Sequence, residues 1–170
     1  APAGSVPGGA RGRQARRALE AHLLQGAAAA TQSELDTIWT SLGSSDRGIR
    51  HAARAALEKQ PVAKWKGRLA GETNLVASTA AMIALARVDA KNSAEQILDK
   101  ATGIDYNQIG SRQTRLDILR SVTLTLTRSG QPDAKAKAKL IQWLDEIYPA
   151  RTPEENRDLS AIAAFLKAPF

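Results

Sequence analysis

Asp46-Arg47-Gly-Ile49-Arg50-His-Ala52-Ala53-Arg54-Ala-Ala56-Leu57 is the stretch that decides the fold. Ile49, Ala52, Ala53, Ala56 and Leu57 recur at three- and four-residue spacing. They make one apolar face of a helix, and its small alanines let a neighbouring helix come close. Asp46 stands where a carboxylate can accept the first free backbone amides. Arg47, Arg50 and Arg54 fall off the apolar face as a polar stripe. Just upstream, Gly43 ends a segment carrying Leu35, Ile38, Trp39 and Leu42 at helical spacing. That segment opens on Thr31-Gln-Ser-Glu34, the form of a capping box. A helix, a tight turn and a second helix are expected here.

The spacing of the second helix returns along the chain. Asn74-x-x-Ala77-Ser78-x-x-Ala81-x-x-Ala84-Leu85 repeats it, and Gln113-x-x-Leu116, continued by Leu119, Thr123 and Leu126, repeats it more loosely. Asn156-x-x-Leu159-Ser160-x-x-Ala163-x-x-Leu166 is the last copy, opened by a second capping box, Thr152-Pro-Glu-Glu155. The copies begin 28, 39 and 43 residues apart. Partner helices are expected over Pro61–Leu69, Asn92–Ala101 and Asp133–Tyr148, after a first helix over Gln14–Gln25 that Gly26 ends. Internal repetition near forty residues, with one helix pair each, is how helical solenoids show in sequence. The expected fold is all-α, a right-handed α-solenoid of eight or nine helices over residues 13–170. Residues 1–12, rich in Gly and Pro, read as a linker or disordered start, left by cleavage or excision.

The Asp46–Leu57 pattern resembles the second helix of a HEAT repeat, with its capping Asp, its aliphatic-plus-Arg step and its paired alanines. A second resemblance covers nearly the whole chain. Trp39, Leu42-Gly-Ser, the Asp46–Leu57 stretch, Gln60-Pro61-Val62 and Trp65 are similar to the HEAT-like region of large planctomycete-type proteins. So are Leu140-Ile-x-x-Leu144-Asp145, Tyr148-Pro149, Asn156-Arg-Asp-Leu159 and Phe165-Leu166-x-Ala168-Pro169. Those proteins are described as membrane-bound dehydrogenases or haem-binding proteins. In them the helical region is joined to a sorbosone-dehydrogenase-like propeller and a cytochrome c domain. The resemblance implies an exported, periplasmic, multidomain redox protein whose haem and quinone sites lie in other domains.

Composition narrows the chemistry. The chain has no Cys, which excludes thiolate catalysis, disulfides and Cys-x-x-Cys-His haem attachment. His22 and His51 are the only histidines, and no ligand-like spacing joins them to carboxylates. Asp145-Glu146 and Glu154-Glu155 are adjacent pairs that point about 100° apart on a helix, so neither converges on one substrate atom. Glu154 and Glu155 suit the first turn of a helix instead. No glycine-rich phosphate loop occurs, and Ser44 and Ser45 have no nearby His. Trp39, Trp65 and Trp143 each fall in register with an apolar stripe and read as core anchors. The longest apolar run, Ala80–Ala86, is far too short to span a bilayer.

No catalytic residue, cofactor or metal site is expected in this segment. The leading reading is a non-enzymatic scaffold or protein-interaction module, whose partners are other domains of the same polypeptide or another protein. The candidate interaction or inter-repeat residues are Arg47, Arg50, Arg54 and Arg120, with Asp46, Ile49, Ala53, Ala56 and Leu57 as the structural motif. Arg50 is expected to tie one repeat to the next. The formal charge of +7 supports a second reading, a nucleic-acid-binding domain using a basic concave face.

Overall fold

The computed structural model describes residues 7–24 and 29–168. Among them every regular element is helical. The α-helices are α1 (Pro7–Ala21), α2 (Gln32–Ser41), α3 (Arg47–Glu58), α4 (Arg68–Gly71), α5 (Leu75–Val88), α6 (Ala90–Thr102), α7 (Arg112–Ser129), α8 (Ala134–Ile147) and α9 (Pro153–Leu166). Two 3-10 turns, Val62–Lys64 and Tyr106–Gln108, interrupt the connections. The chain divides into two compact units, residues 1–84 and 85–170.

In the first unit α1 and α2 both pack on α3. The capping box at Thr31 forms: Glu34 N donates to the Thr31 hydroxyl, and the Glu34 carboxylate accepts from the Thr31 amide at 2.8 Å. Leu35, Ile38, Trp39 and Leu42 are buried behind it. On α3, Ala52, Ala53, Ala56 and Leu57 are buried and Ile49 half-buried, so the apolar face is the one expected.

Two local expectations are corrected in this unit. The helix begins at Pro7, not after Gly12; residues 1–6 lie outside the described residues. Pro suits the first helical position because its φ is preset and its missing amide is not needed there. Gly12 then faces the α3 cap: a Cβ on it would lie 3.8 Å from Asp46 Oδ2. A stretch that reads as linker is thus part of the helix that packs on α3. At the other end α1 stops at Ala21 and only Leu19 of its expected stripe is buried. Gln25 and Gly26, where the stop was expected, lie outside the described residues. Pro61–Leu69 is not one helix either, but a 3-10 turn and the one-turn α4. The backbone leaves the helical region at Trp65 (φ −133°) while Gly67 keeps helical angles, and Trp65 and Leu69 are still fully buried.

In the second unit α6 packs on α7 and α8, and α9 packs on α7 and α8. Ile97, Leu98 and Ala101 of α6 meet a core that includes Ile118, Leu119 and Val122 of α7. Leu140, Trp143, Leu144 and Ile147 of α8 and Leu159, Ile162 and Leu166 of α9 complete it. Helices α6 and α8 overlap the expected partner helices to within two residues at each end.

Candidate functional site: a recurring turn clasp and a charged groove

Four helices start in the same way. Asp46 Oδ1 accepts from Gly48 N and Ile49 N, and Asn74 Oδ1 accepts from Val76 N and Ala77 N. The Ser111 hydroxyl accepts from Thr114 N and the Thr152 hydroxyl from Glu155 N. Each cap satisfies amides that the helix leaves free.

Four residues beyond each cap, a polar side chain turns back over the helix start. It bonds the carbonyl two residues before the cap. Arg50 Nη1 donates to Ser44 O at 2.7 Å and to Ser45 O at 2.9 Å. Ser78 Oγ donates to Glu72 O at 3.2 Å. Arg115 Nη1 donates to Ile109 O at 2.7 Å and to Gly110 O at 3.2 Å. Asn156 Nδ2 donates to Ala150 O at 3.1 Å while its Oδ1 accepts from Ala150 N at 2.7 Å. A turn that leads into a helix carries carbonyls without helical partners, and this side chain supplies the donor.

The clasp sets the register of the repeat. Its copies begin at Asp46, Asn74, Ser111 and Thr152, so the expected starts at Gln113 and Asn156 are corrected to positions two and four residues earlier. Gln113 instead bonds Asp117 on the helix surface at 3.1 Å.

The four candidate arginines do different things. Arg47 is exposed at the first residue of α3. Arg50 closes the turn of its own hairpin, so its expected place as a tie to the next repeat is corrected. Arg54 pairs with Glu58 at 3.6 Å and lies 3.4 Å from His51 Nδ1. Arg120 is exposed on α7 in the second unit.

The tie between pairs falls to Arg115, which the sequence reading missed. Its Nε lies 2.5 Å from Glu155 Oε1, with both side chains buried. Glu155 also accepts from Thr152 N at 3.1 Å in the second capping box. One arginine therefore holds its own turn and the start of α9 together. The signal was present: Arg115 stands from Ser111 as Arg50 stands from Asp46. Close by, Tyr106 is buried and meets the Trp143 ring edge to face, centroids 6.0 Å apart. Burial pushes the Tyr106 phenol well above its ordinary value, and the Glu155 charge adds to this. The indole nitrogens of Trp39 and Trp65 bond Glu72 (2.7 Å) and Gln60 O (3.3 Å), and all three tryptophans are core.

Arg120 faces a groove of about 450 Å³ between α7 and α9. Asp117, Glu154, Arg157 and Asp158 share it, so two arginines meet three carboxylates. Glu154 is itself paired with Arg112 at 3.1 Å. Its carboxyl is held below the ordinary range by a backbone amide at its own position and by the Arg112 charge. Leu116 and Leu124 give the groove an apolar floor. A surface of balanced charge over apolar atoms suits a polypeptide better than a phosphate backbone.

Among the described residues, no group of three or more His, Asp or Glu side chains converges as a metal site would need. No helix of the described residues is long and apolar enough to cross a membrane. No protein-family model, no curated protein and no solved structure matches the chain.

Proposed function

We propose that this chain is a non-catalytic HEAT-like repeat module, a right-handed stack of helix pairs that holds other domains of its polypeptide or binds another protein. The observation that carries the reading is the recurring clasp. The polar residues that might have done chemistry at the helix starts are spent on closing turns, once per pair. Helix α2 packs on α3, α6 on α7 and α8 on α9, and the short α4 segment precedes α5 in the chain. The α7–α9 groove, with Arg120 and Arg157 opposite Asp117 and Asp158, is the surface offered to a polypeptide partner. The resemblance to exported redox proteins suggests a propeller and a cytochrome as the domains held. A gene encoding a propeller upstream and Cys-x-x-Cys-His downstream would support that source.

The second reading, nucleic-acid binding, keeps one supporting observation. Residues 1–84 carry eleven Lys and Arg against six Asp and Glu, whereas residues 85–170 carry thirteen against eleven. Arg13, Arg16 and Arg17 of α1 and Arg47 of α3 are exposed. Titration with duplex DNA at two salt concentrations separates the readings. The scaffold reading expects weak, sequence-blind binding that is lost near ~150 mM salt. Arg50→Glu should lower stability more than it lowers DNA retention, because Arg50 holds a turn. Sub-micromolar, salt-tolerant binding that Arg50→Glu abolishes without unfolding would establish nucleic-acid binding instead.

A further inference from the structure

One face of α7 can be followed along nearly its whole length. Gln113, Leu116, Arg120, Thr123, Leu124 and Thr127 recur at helical spacing on one side of the α7–α9 groove. At ~1.5 Å per residue they span ~21 Å, and Leu116 lies ~12 Å from Leu124. From α9 only Glu154, Arg157 and Asp158 enter, all within its first two turns. The Arg112–Glu154 and Arg115–Glu155 pairs join the starts of the two helices. The charges therefore gather at that end, and beyond Arg120 the groove offers Thr123, Leu124 and Thr127 without charge.

By count the charges balance, but by depth they do not. Arg120 and Arg157 are exposed, whereas Asp117 and Asp158 are half-buried. Glu154 is already paired with Arg112, and Asp117 already accepts from Gln113. Among the described residues the side chains of Arg120 and Arg157 form no ion pair and no hydrogen bond. A polypeptide entering the groove meets these two guanidiniums first. A guanidinium takes a carboxylate through two parallel N–H donors.

The walls of the groove are helices, whose interior backbone groups are already bonded. An extended peptide would find no backbone partners there, whereas a helix brings its own backbone bonds with it. The two half-buried leucines, eight residues apart on α7, match apolar side chains seven or eight apart on a facing helix.

We propose that the α7–α9 groove is a docking surface for an acidic amphipathic helix of a partner polypeptide. Carboxylates of that helix pair with Arg120 and Arg157, and two of its apolar side chains lie over Leu116 and Leu124. The proposal rests on the protein-interaction reading and names the chemistry of its partner.

The test pans phage-displayed random peptides of ~16 residues, long enough for about four helical turns, on the full chain at ~150 mM salt. Peptides retained by the wild type should be rich in Asp and Glu, carry apolar residues seven or eight apart, and gain helical circular dichroism on binding. Arg120→Glu with Arg157→Glu should weaken them ~10-fold or more, with melting within ~2 °C of wild type because both side chains are exposed. Arg120→Gln with Arg157→Gln should give a smaller loss. Lys91→Glu with Lys135→Glu makes the same change of charge at exposed positions outside the groove and should leave binding unchanged. Retained peptides that are basic or proline-rich would overturn the proposal and leave the protein-interaction reading standing. So would peptides that bind the Arg120→Glu, Arg157→Glu chain as well as wild type. Retention of no peptide would overturn the proposal too, and if the same chain held duplex DNA at ~150 mM salt the protein-interaction reading would fall with it.

Discussion

Arg115 concentrates more structural consequence than any other side chain. Its guanidinium bonds Ile109 O and Gly110 O and pairs with Glu155, out of contact with water. Removing one member of a buried pair leaves the other charge unpaired, which costs on the order of 3–5 kcal/mol. Arg115→Met and Glu155→Gln should each destabilise strongly, and the double variant should cost clearly less than their sum in a denaturant double-mutant cycle. Additive losses would show that the two side chains act separately. Tyr106, beside them, is buried, and its hydroxyl lies near Arg115 without a hydrogen bond of ordinary geometry. Tyr106→Phe should therefore be neutral or stabilising by up to ~1 kcal/mol. Because the folded phenol is raised, its neutral form is favoured by the fold. That stability is whole below the ordinary phenol range near ~10 and is lost as pH rises through the folded value. Urea titrations above about pH 10 should show a smaller alkaline loss for Tyr106→Phe than for the wild type.

Among the elements, the second helices of the pairs are held at their first turn, and substitutions there have a calculable cost. Asp46→Ala removes the acceptor for Gly48 N and Ile49 N and should cost about 1 kcal/mol in thermal melting. Ala53→Leu overpacks a position with no exposed surface and should cost ~1–3 kcal/mol; an unchanged melting temperature would mean that this face has room. Helices α2, α3, α8 and α9 were legible because cap, stripe and stop coincide in each. Helix α7 was legible as a helix but not in register. Ser111 is the better cap, but the repeat spacing points to Gln113, and periodicity alone cannot separate starts two residues apart. The offset of Arg115 from Ser111 separates them. The segment before α5 was not legible as two pieces, because Val62, Trp65 and Leu69 keep helical spacing even though the backbone breaks at Trp65. The start at Pro7 was hidden by glycines, whose usual meaning is a loop but which here lie inside α1.

At the scale of the whole molecule, the charge divides unevenly along the chain. The offset of Arg115 from Ser111 marks its turn bond, but its partner Glu155, forty residues away in sequence, carries no such mark. The candidate arginines read in the sequence as interaction or inter-repeat residues. Their chemistry proves local: Arg50 serves a turn, Arg54 a helical ion pair and Arg120 a groove of mixed sign. What unites the chain is the clasp, present once in each pair and built from three different side-chain types. Hydrogen exchange on the wild type and on Arg50→Ala, Ser78→Ala, Arg115→Ala and Asn156→Ala tests that claim most directly. Each variant should speed exchange in the turn and first helical turn of its own pair. The losses expected are about 1 kcal/mol for Ser78 and Asn156 and about 1.5–3 kcal/mol or more for the arginines. Exchange that is unchanged in all four turns, or raised uniformly along the chain by every variant, would contradict a fold built from like pairs that are each closed by the same bond.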